Sequence, residues 1–209
     1  MKFLETWKLF ESNPSDEYPL IRIITTKKSY DSIKEMGYIY SRTELMKKNN
    51  LDKELIKDKG FDDKNDEWFK NRSKNDNEKF KTDDLIFATA DWFNDGGYET
   101  GHGSIMMYLK PTIFDDFKIT LTETDSFEIN KKLKIYNKKD IKKIYSFIKN
   151  IDVKSNDELL NVAKNILKNL KHKNKQGFYD KYSEIQIHTN KIPIEYIKEI
   201  KITKNYLKK

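Results

Sequence analysis

A mixed α+β fold with a largely antiparallel sheet flanked by helices is predicted, and three observations carry that prediction. Short runs rich in Ile and aromatic residues recur at strand length along the chain. Residues 139–149 and 157–170 carry apolar residues at helical spacing. Strands and helices come in blocks rather than in strict alternation, which is the order of an α+β fold and not of a parallel α/β sheet.

Residues 1–13 place Phe3, Leu4, Trp7, Leu9 and Phe10 close to helical spacing, and Asn13-Pro14-Ser15-Asp16 ends that helix. Leu20-Ile21-Arg22-Ile23-Ile24 reads as a buried strand, and a buried strand that keeps an arginine needs an anionic partner for it. Ser29 is expected to cap a helix that runs to Met36, with Tyr30, Ile33 and Met36 on one face and Gly37 as its stop. Tyr38-Ile39-Tyr40 follows as an extended segment. Residues 41–82 are dominated by Lys, Asp and Asn, with Trp68-Phe69 as the strong apolar anchor. Short helices and a long mobile connection, serving as a lid or substrate loop, are expected there.

Strands are then predicted over 84–89, over 104–110 with Pro111 as the stop, and over 117–122. In the helical pair, Ile141, Ile144, Tyr145 and Ile148 share one face of the first helix. The second, capped by Ser155 or Asn156, aligns Leu159, Leu160, Ala163, Ile166, Leu167 and Leu170. Residues 183–188 alternate with period two, 193–197 begin one helical turn, and 199–202 form a closing strand. With no internal repeat, residues 1–209 read as one domain, 41–82 being an insertion and 139–170 a helical pair.

Composition narrows the function classes. Hydrophobic and charged residues each make up 36% of the chain, so the core relies on the 12 Tyr, 12 Phe and 3 Trp, each of which buries a large apolar area. The absence of cysteine excludes disulfides, thiolate metal sites and a cysteine nucleophile, and His102, His172 and His188 are too scattered to suggest a zinc site. No apolar run approaches the roughly 20 residues that span a bilayer. Glu5 stands where a signal peptide carries its apolar run, so the cytoplasm is the expected compartment and no membrane partner is expected. Residues 131–209 hold 21 Lys against 8 Asp and Glu, whereas the rest of the chain is mildly acidic. That asymmetry has two readings, a polyanion-binding face or simply lysine on exposed helix faces.

Three segments carry candidate chemistry: Arg22 with Thr25-Thr26 after it, Phe87-Ala88-Thr89 at a strand end, and Tyr182-Ser183-Glu184-Ile185-Gln186. A cation, a hydroxyl and a carboxylate on neighbouring strands suit a phosphorylated sugar nucleotide. Arginine pairs bidentately with phosphate, threonine bonds a ribose hydroxyl and glutamate acts at the anomeric centre. The bland alternatives stand beside this one: a structural ion-pair arginine, a solvent-facing glutamate, and ordinary strand residues at Phe87 and Thr89. The loop Gly96-Gly97-Tyr98-Glu99-Thr100-Gly101-His102-Gly103 lacks the Lys-Ser/Thr ending of a P-loop and precedes a strand, so it reads as a turn in which His102 is a candidate substrate contact.

The stretch from Leu20 to Gly37 resembles the opening strand and helix of ADP-ribosyltransferases, in which a strand bearing His or Arg leads into a helix ending in Gly. Ser183-Glu184-Ile185-Gln186-Ile187 with Ile192-Pro193-Ile194-Glu195-Tyr196-Ile197 is similar to the catalytic-glutamate strand and trailing turn of DarT-like, nucleic-acid-targeting toxin members. Arg22 stands where the DarT-like pattern has His, and Tyr182 replaces the first carboxylate of arginine-modifying toxins, which argues against arginine as acceptor.

The resemblance implies an ADP-ribosyltransferase-like fold with a split sheet, NAD as substrate and no metal. In that reading Glu184 is catalytic and bonds the ribose 2′-hydroxyl. Arg22 holds the pyrophosphate, Thr25 and Thr89 supply hydroxyls to ribose, and Phe87 or Tyr38 stacks on nicotinamide. Tyr182, Gln186 and His102 lie towards the acceptor, which is DNA, RNA or protein, in a toxin or phage defence factor. The rival from another class is a non-catalytic nucleic-acid-binding module using the Lys-rich C-terminal region.

Overall fold

A computed structural model describes residues 17–47, 65–93, 103–124, 133–150, 152–171 and 183–202. The helix expected over 1–13, residues 48–64, His102 and Tyr182 lie outside them, as do the side chains of Trp68 and Phe69. The elements run β1 (Leu20–Thr25), α1 (Lys27–Met36), β2 (Tyr38–Tyr40), α2 (Arg42–Lys47), α3 (Asn65–Phe80), β3 (Leu85–Asp91) and β4 (Ile105–Leu109). They continue with α4 (Ile113–Asp116), β5 (Lys118–Thr122), β6 (Tyr136–Asn137), α5 (Lys138–Lys149), α6 (Glu158–Lys171), β7 (Glu184–His188), β8 (Lys191–Pro193), a 3₁₀ turn (Ile194–Tyr196) and β9 (Ile197–Ile202).

Seven strands form one sheet in the order β6-β5-β7-β3-β1-β4-β9, and β2 and β8 form a separate two-stranded ribbon. Neighbouring strands are antiparallel throughout. Side chains alternate between the two faces of a strand, and here the alternation separates two chemistries. Ile21 and Ile23 of β1, Ile86 and Ala88 of β3, Met107 of β4 and Ile185 and Ile187 of β7 belong to one apolar cluster. The same cluster takes in Ile33 of α1, Phe114 of α4, Ile144 and Tyr145 of α5, Ala163 and Ile166 of α6, and Ile39 and Ile192 of the ribbon. The helices and the ribbon therefore cover that face. Residues of opposite parity make up the other face, where Leu20, Met106 and Tyr108 form a small separate cluster.

Local chemistry explains the helix ends. Thr26, not Ser29, caps α1: its Oγ1 accepts from the Ser29 amide at 3.1 Å, which places Ser29 inside the first turn. Gly37 ends α1 in the left-handed region at φ 74°, as its position after Met36 predicts. Ser41 Oγ accepts from the Glu44 amide at 3.1 Å and caps α2. Asn137 and Asp140 form a capping box at the start of α5. For α6 the cap is Asp157, whose Oδ1 accepts from the Leu159 amide at 2.9 Å, in place of the expected Ser155 or Asn156. The ionised Asp157 also lies at the positive end of the helix dipole.

Within 41–82 the described parts are helical, and α3 is a full 16-residue helix rather than loose connection. It lacks a clear apolar stripe, which is why periodicity misses it, and its C-terminal half is tied down by tertiary contacts. Asp76 of α3 is fully buried and pairs with Arg42 of α2 at 3.5 Å. Phe80 is buried edge-on to the His188 ring, 6.1 Å between centroids.

Two glycines test the fold in opposite ways. A Cβ on Gly103 would stand 2.1 Å from the Thr25 carbonyl oxygen and 2.8 Å from the Thr26 amide nitrogen, both backbone atoms that cannot swing aside. Beside Gly37 nothing lies within 4 Å, so alanine there meets only the left-handed backbone cost of about 1–2 kcal/mol. Urea titration is expected to show Gly103→Ala losing more stability than Gly37→Ala, by overpacking worth roughly 1–3 kcal/mol or more. Equal midpoints for the two variants would contradict the close approach at Gly103.

Candidate active site

The polar face is built by register. Arg22 lies opposite Thr89 of β3 and Tyr108 of β4, Thr89 opposite Glu184 of β7, and Glu184 opposite Thr122 of β5. One transverse row thus reads Thr122, Glu184, Thr89, Arg22, Tyr108. The adjacent row pairs Thr120, Gln186 and Phe87, and the next pairs Lys118, His188 and Leu85. Arg22, Thr89, Tyr108, Thr120, Thr122, Glu184 and Gln186 are all buried. Buried polar groups are tolerable only when hydrogen-bonded, and this face divides into two networks on either side of Thr89.

The first surrounds Arg22. Its Nη1 lies 3.4 Å from Asp91 Oδ2, with both side chains almost wholly out of solvent. Tyr108 donates its hydroxyl to the same carboxylate oxygen at 3.1 Å. Burial first, and the neighbouring Asp91 charge second, hold the Tyr108 hydroxyl well above its ordinary pKa, so it stays protonated and donates. The anionic partner that a buried strand arginine requires is Asp91, the last residue of β3. Arg22 Nε has no hydrogen-bond partner among the described residues.

The second network surrounds Glu184. Gln186 Nε2 donates to Glu184 Oε1 at 2.9 Å and to Thr122 Oγ1 at 3.0 Å. Thr122 donates to the Thr124 carbonyl at 2.7 Å, and Thr120 donates to Gln186 Oε1 at 3.1 Å. His188 Nε2 stands 3.0 Å from Thr120 Oγ1. Burial, with the Lys118 charge as a smaller cause, pushes the His188 imidazole down to about 4, so it is neutral near pH 7. Beside this network, Trp92 Nε1 donates to Ser183 Oγ at 3.3 Å and the Ala90 amide to the Ser183 carbonyl at 3.1 Å, which anchors the entry to β7.

Of the residues singled out from sequence, Glu184, Thr89, Arg22, Phe87 and Gln186 share this face. Thr25 does not: it lies opposite Ile105, on the face that packs the helices, because it is an odd number of residues from Arg22. Tyr38 stands in the ribbon opposite Pro193, with the Lys191 ammonium 4.6 Å from its ring centroid and Tyr40 alongside. Asp91, Tyr108, Thr120, Thr122 and His188 join the site without having been selected. The period-two spacing of Thr120 and Thr122 was the available signal for those two.

Four lysines near the helical pair are paired within the chain. Lys138 meets Asp115 at 2.8 Å, Lys142 meets Glu17 at 2.7 Å, and Lys134 and Lys143 contact Glu158 and Asp157. Among the described residues no helix is long and apolar enough to cross a membrane, and no group of three or more His, Asp or Glu is arranged for a metal ion. No protein-family model, curated protein or solved structure matches the chain.

Two outcomes follow from the networks. Asp91→Leu leaves a buried guanidinium without its counter-charge and is expected to cost about 3–5 kcal/mol, whereas Arg22→Met with Asp91→Leu recovers part of that loss, the Tyr108 hydroxyl still lacking its acceptor. A urea-measured double-mutant cycle showing no recovery would contradict the pairing. The pH test uses His188, whose folded value of about 4 lies below its ordinary 6.5. Well above pH 6.5 neither folded nor unfolded imidazole is charged, so its full contribution is present. As pH falls from about 6.5 towards about 4 the unfolded chain takes up the proton first, and that contribution is lost. Thermal midpoints between pH 7 and pH 4 should therefore fall more steeply in wild type than in His188→Gln. Parallel profiles would show that His188 is not held neutral.

Proposed function

We propose that the chain is an NAD-consuming ADP-ribosyltransferase with Glu184 as its catalytic carboxylate, acting on a macromolecular acceptor in a toxin or phage defence role. The observation that supports this reading is the shared row: Arg22, Thr89 and Glu184, from three segments far apart in sequence, stand on adjacent strands with Arg22 opposite Thr89 and Thr89 opposite Glu184. A cation, a hydroxyl and a carboxylate aligned across β1, β3 and β7 form the set needed to hold a dinucleotide at its phosphate, its ribose and its reacting carbon.

The chemistry assigned to the row is loss of nicotinamide. The bond between ribose C1′ and the nicotinamide nitrogen breaks, its electron pair neutralises the ring cation, and positive charge develops on the ribose, as in glycoside cleavage. Glu184 bonds the 2′-hydroxyl and stabilises that charge. The acceptor nucleophile then bonds C1′ and releases its proton. Thr89 binds the ribose and Phe87 flanks the nicotinamide. Arg22 is the cation assigned to the pyrophosphate, while Asp91 retains Nη1. Thr25 and Tyr38 have no part in this version of the site, since neither stands on the polar face.

The acceptor is DNA, RNA or protein. The intramolecular pairing of Lys134, Lys138, Lys142 and Lys143 removes part of the surplus that favoured a simple polyanion-binding module. Nicotinamide release from NAD by the purified chain, with DNA, RNA and cell lysate supplied in turn, decides the class. Glu184→Gln is expected to lower release at least about a hundredfold, the scale of losing one group that stabilises transition-state charge, with an unchanged circular dichroism spectrum. Release that survives this substitution, or no release from wild type with any acceptor, would sink the proposal.

A further inference from the structure

We infer that Gln186 is a positioning residue for Glu184, locked in one orientation by a directional hydrogen-bond chain through Thr122, Thr120 and His188. The inference rests on the proposed catalytic role of Glu184. Gln186 is not the substrate contact that the resemblance implies: its side chain is fully buried and contacts the carboxylate.

The direction of the chain follows from counting protons. Thr122 has one hydroxyl proton and gives it to the Thr124 carbonyl at 2.7 Å. Its 3.0 Å contact with Gln186 must therefore be an acceptance, which fixes the amide nitrogen on the Thr122 side. The second amide proton then points at Glu184 Oε1, 2.9 Å away, and the amide oxygen turns to Thr120. Flipping the amide would set its oxygen against both the carboxylate and a threonine lone pair, so the geometry admits one orientation. Thr120 spends its proton on Gln186 Oε1 at 3.1 Å, so the 3.0 Å contact with His188 is donated by the imidazole. His188 is thus the Nε2–H tautomer, its ring held edge-on by Phe80.

From His188 through Thr120 and Gln186 the donors point towards Glu184, while a branch runs from Gln186 through Thr122 to the Thr124 carbonyl. An amide N–H on a carboxylate oxygen is a charge-assisted bond, and it costs no reorganisation when charge develops nearby because the amide has no freedom left. A methyl-terminated residue in place of Gln186 would keep the volume and remove this one bond to the carboxylate. Such a bond supports the chemical step rather than substrate capture, since Gln186 has no surface with which to touch a ligand.

The test measures NAD turnover with nicotinamide release as readout, together with ¹⁵N NMR of the histidine rings in the full chain. Gln186→Met and Thr122→Val are expected to lower kcat by roughly 10- to 100-fold, the scale of one hydrogen bond to a charged group, while the KM for NAD moves less than about threefold. Thr122→Ser, which keeps the hydroxyl, should restore kcat. In wild type the His188 ring should show protonated Nε2 and bare Nδ1. Full kcat in both Gln186→Met and Thr122→Val, with Glu184→Gln inactive, would overturn the positioning role and leave the enzyme class standing. A protonated Nδ1 would overturn the direction of the chain whether or not the protein turns over NAD. Turnover that ignores Glu184 would remove the catalytic reading itself, and the positioning role with it.

Discussion

Desolvation of charge on one face of an antiparallel sheet is the constraint on which the rest of this structure depends. Arg22 is about 2% exposed and Glu184 about 5%, and neither charge is tolerable there without compensation. In a sheet, compensation comes from residues directly opposite on the neighbouring strand or from diagonal positions. Arg22 is answered by Asp91, one register step away on β3, and Asp91 in turn by Tyr108 of β4. Glu184 is answered by Gln186 on its own strand, and Gln186 by two threonines of β5. Each buried group thus dictates the chemistry of the strand beside it.

Topology makes those answers possible. β7, near the end of the described chain, inserts between β5 and β3 instead of joining an edge. It can therefore draw hydroxyls from β5 while presenting Glu184 to Thr89 of β3. Had β7 paired only at an edge, Gln186 would have faced solvent on one side and its amide would rotate. The opposite face serves a different purpose. There Ile, Met and Ala side chains pack α5, α6 and the β2–β8 ribbon, supplying the apolar burial that offsets the polar face. The two faces are interdependent, since a slip of one residue in any strand would exchange their chemistries.

The fold was largely legible in sequence, and the exceptions are physical. The strands predicted over 20–24, 84–89, 104–110, 117–122 and 183–188 agree with β1, β3, β4, β5 and β7 to within two residues, and the helical pair and the stop at Gly37 also follow from periodicity and from the backbone freedom of glycine. Short helices were expected within 41–82, but the full length of α3 was not legible because Asp76 and Phe80 are held by tertiary contacts rather than by an apolar stripe. Thr26 displaced Ser29 as a cap because α1 begins at Lys27, a choice between adjacent hydroxyl residues that local pattern cannot make. Glu184, Thr89 and Arg22 were found as separate motifs. Asp91, Tyr108 and His188 were not, since nothing in their own neighbourhoods marks them as partners of a distant strand.

What the sequence by itself determined is which side chains could share a face. Period-two alternation puts Arg22 apart from Ile21 and Ile23, and Glu184 with Gln186 and apart from Ile185, wherever their strands go. It also excludes Thr25 from the face of Arg22. The tertiary structure alone decided which strands became neighbours and in what register. The reason is that the backbone hydrogen-bond ladder is the same for every residue, so β7 finds its place between β5 and β3 through packing of side chains remote in sequence. That placement, and not any local motif, turns a buried carboxylate into one held by an oriented amide.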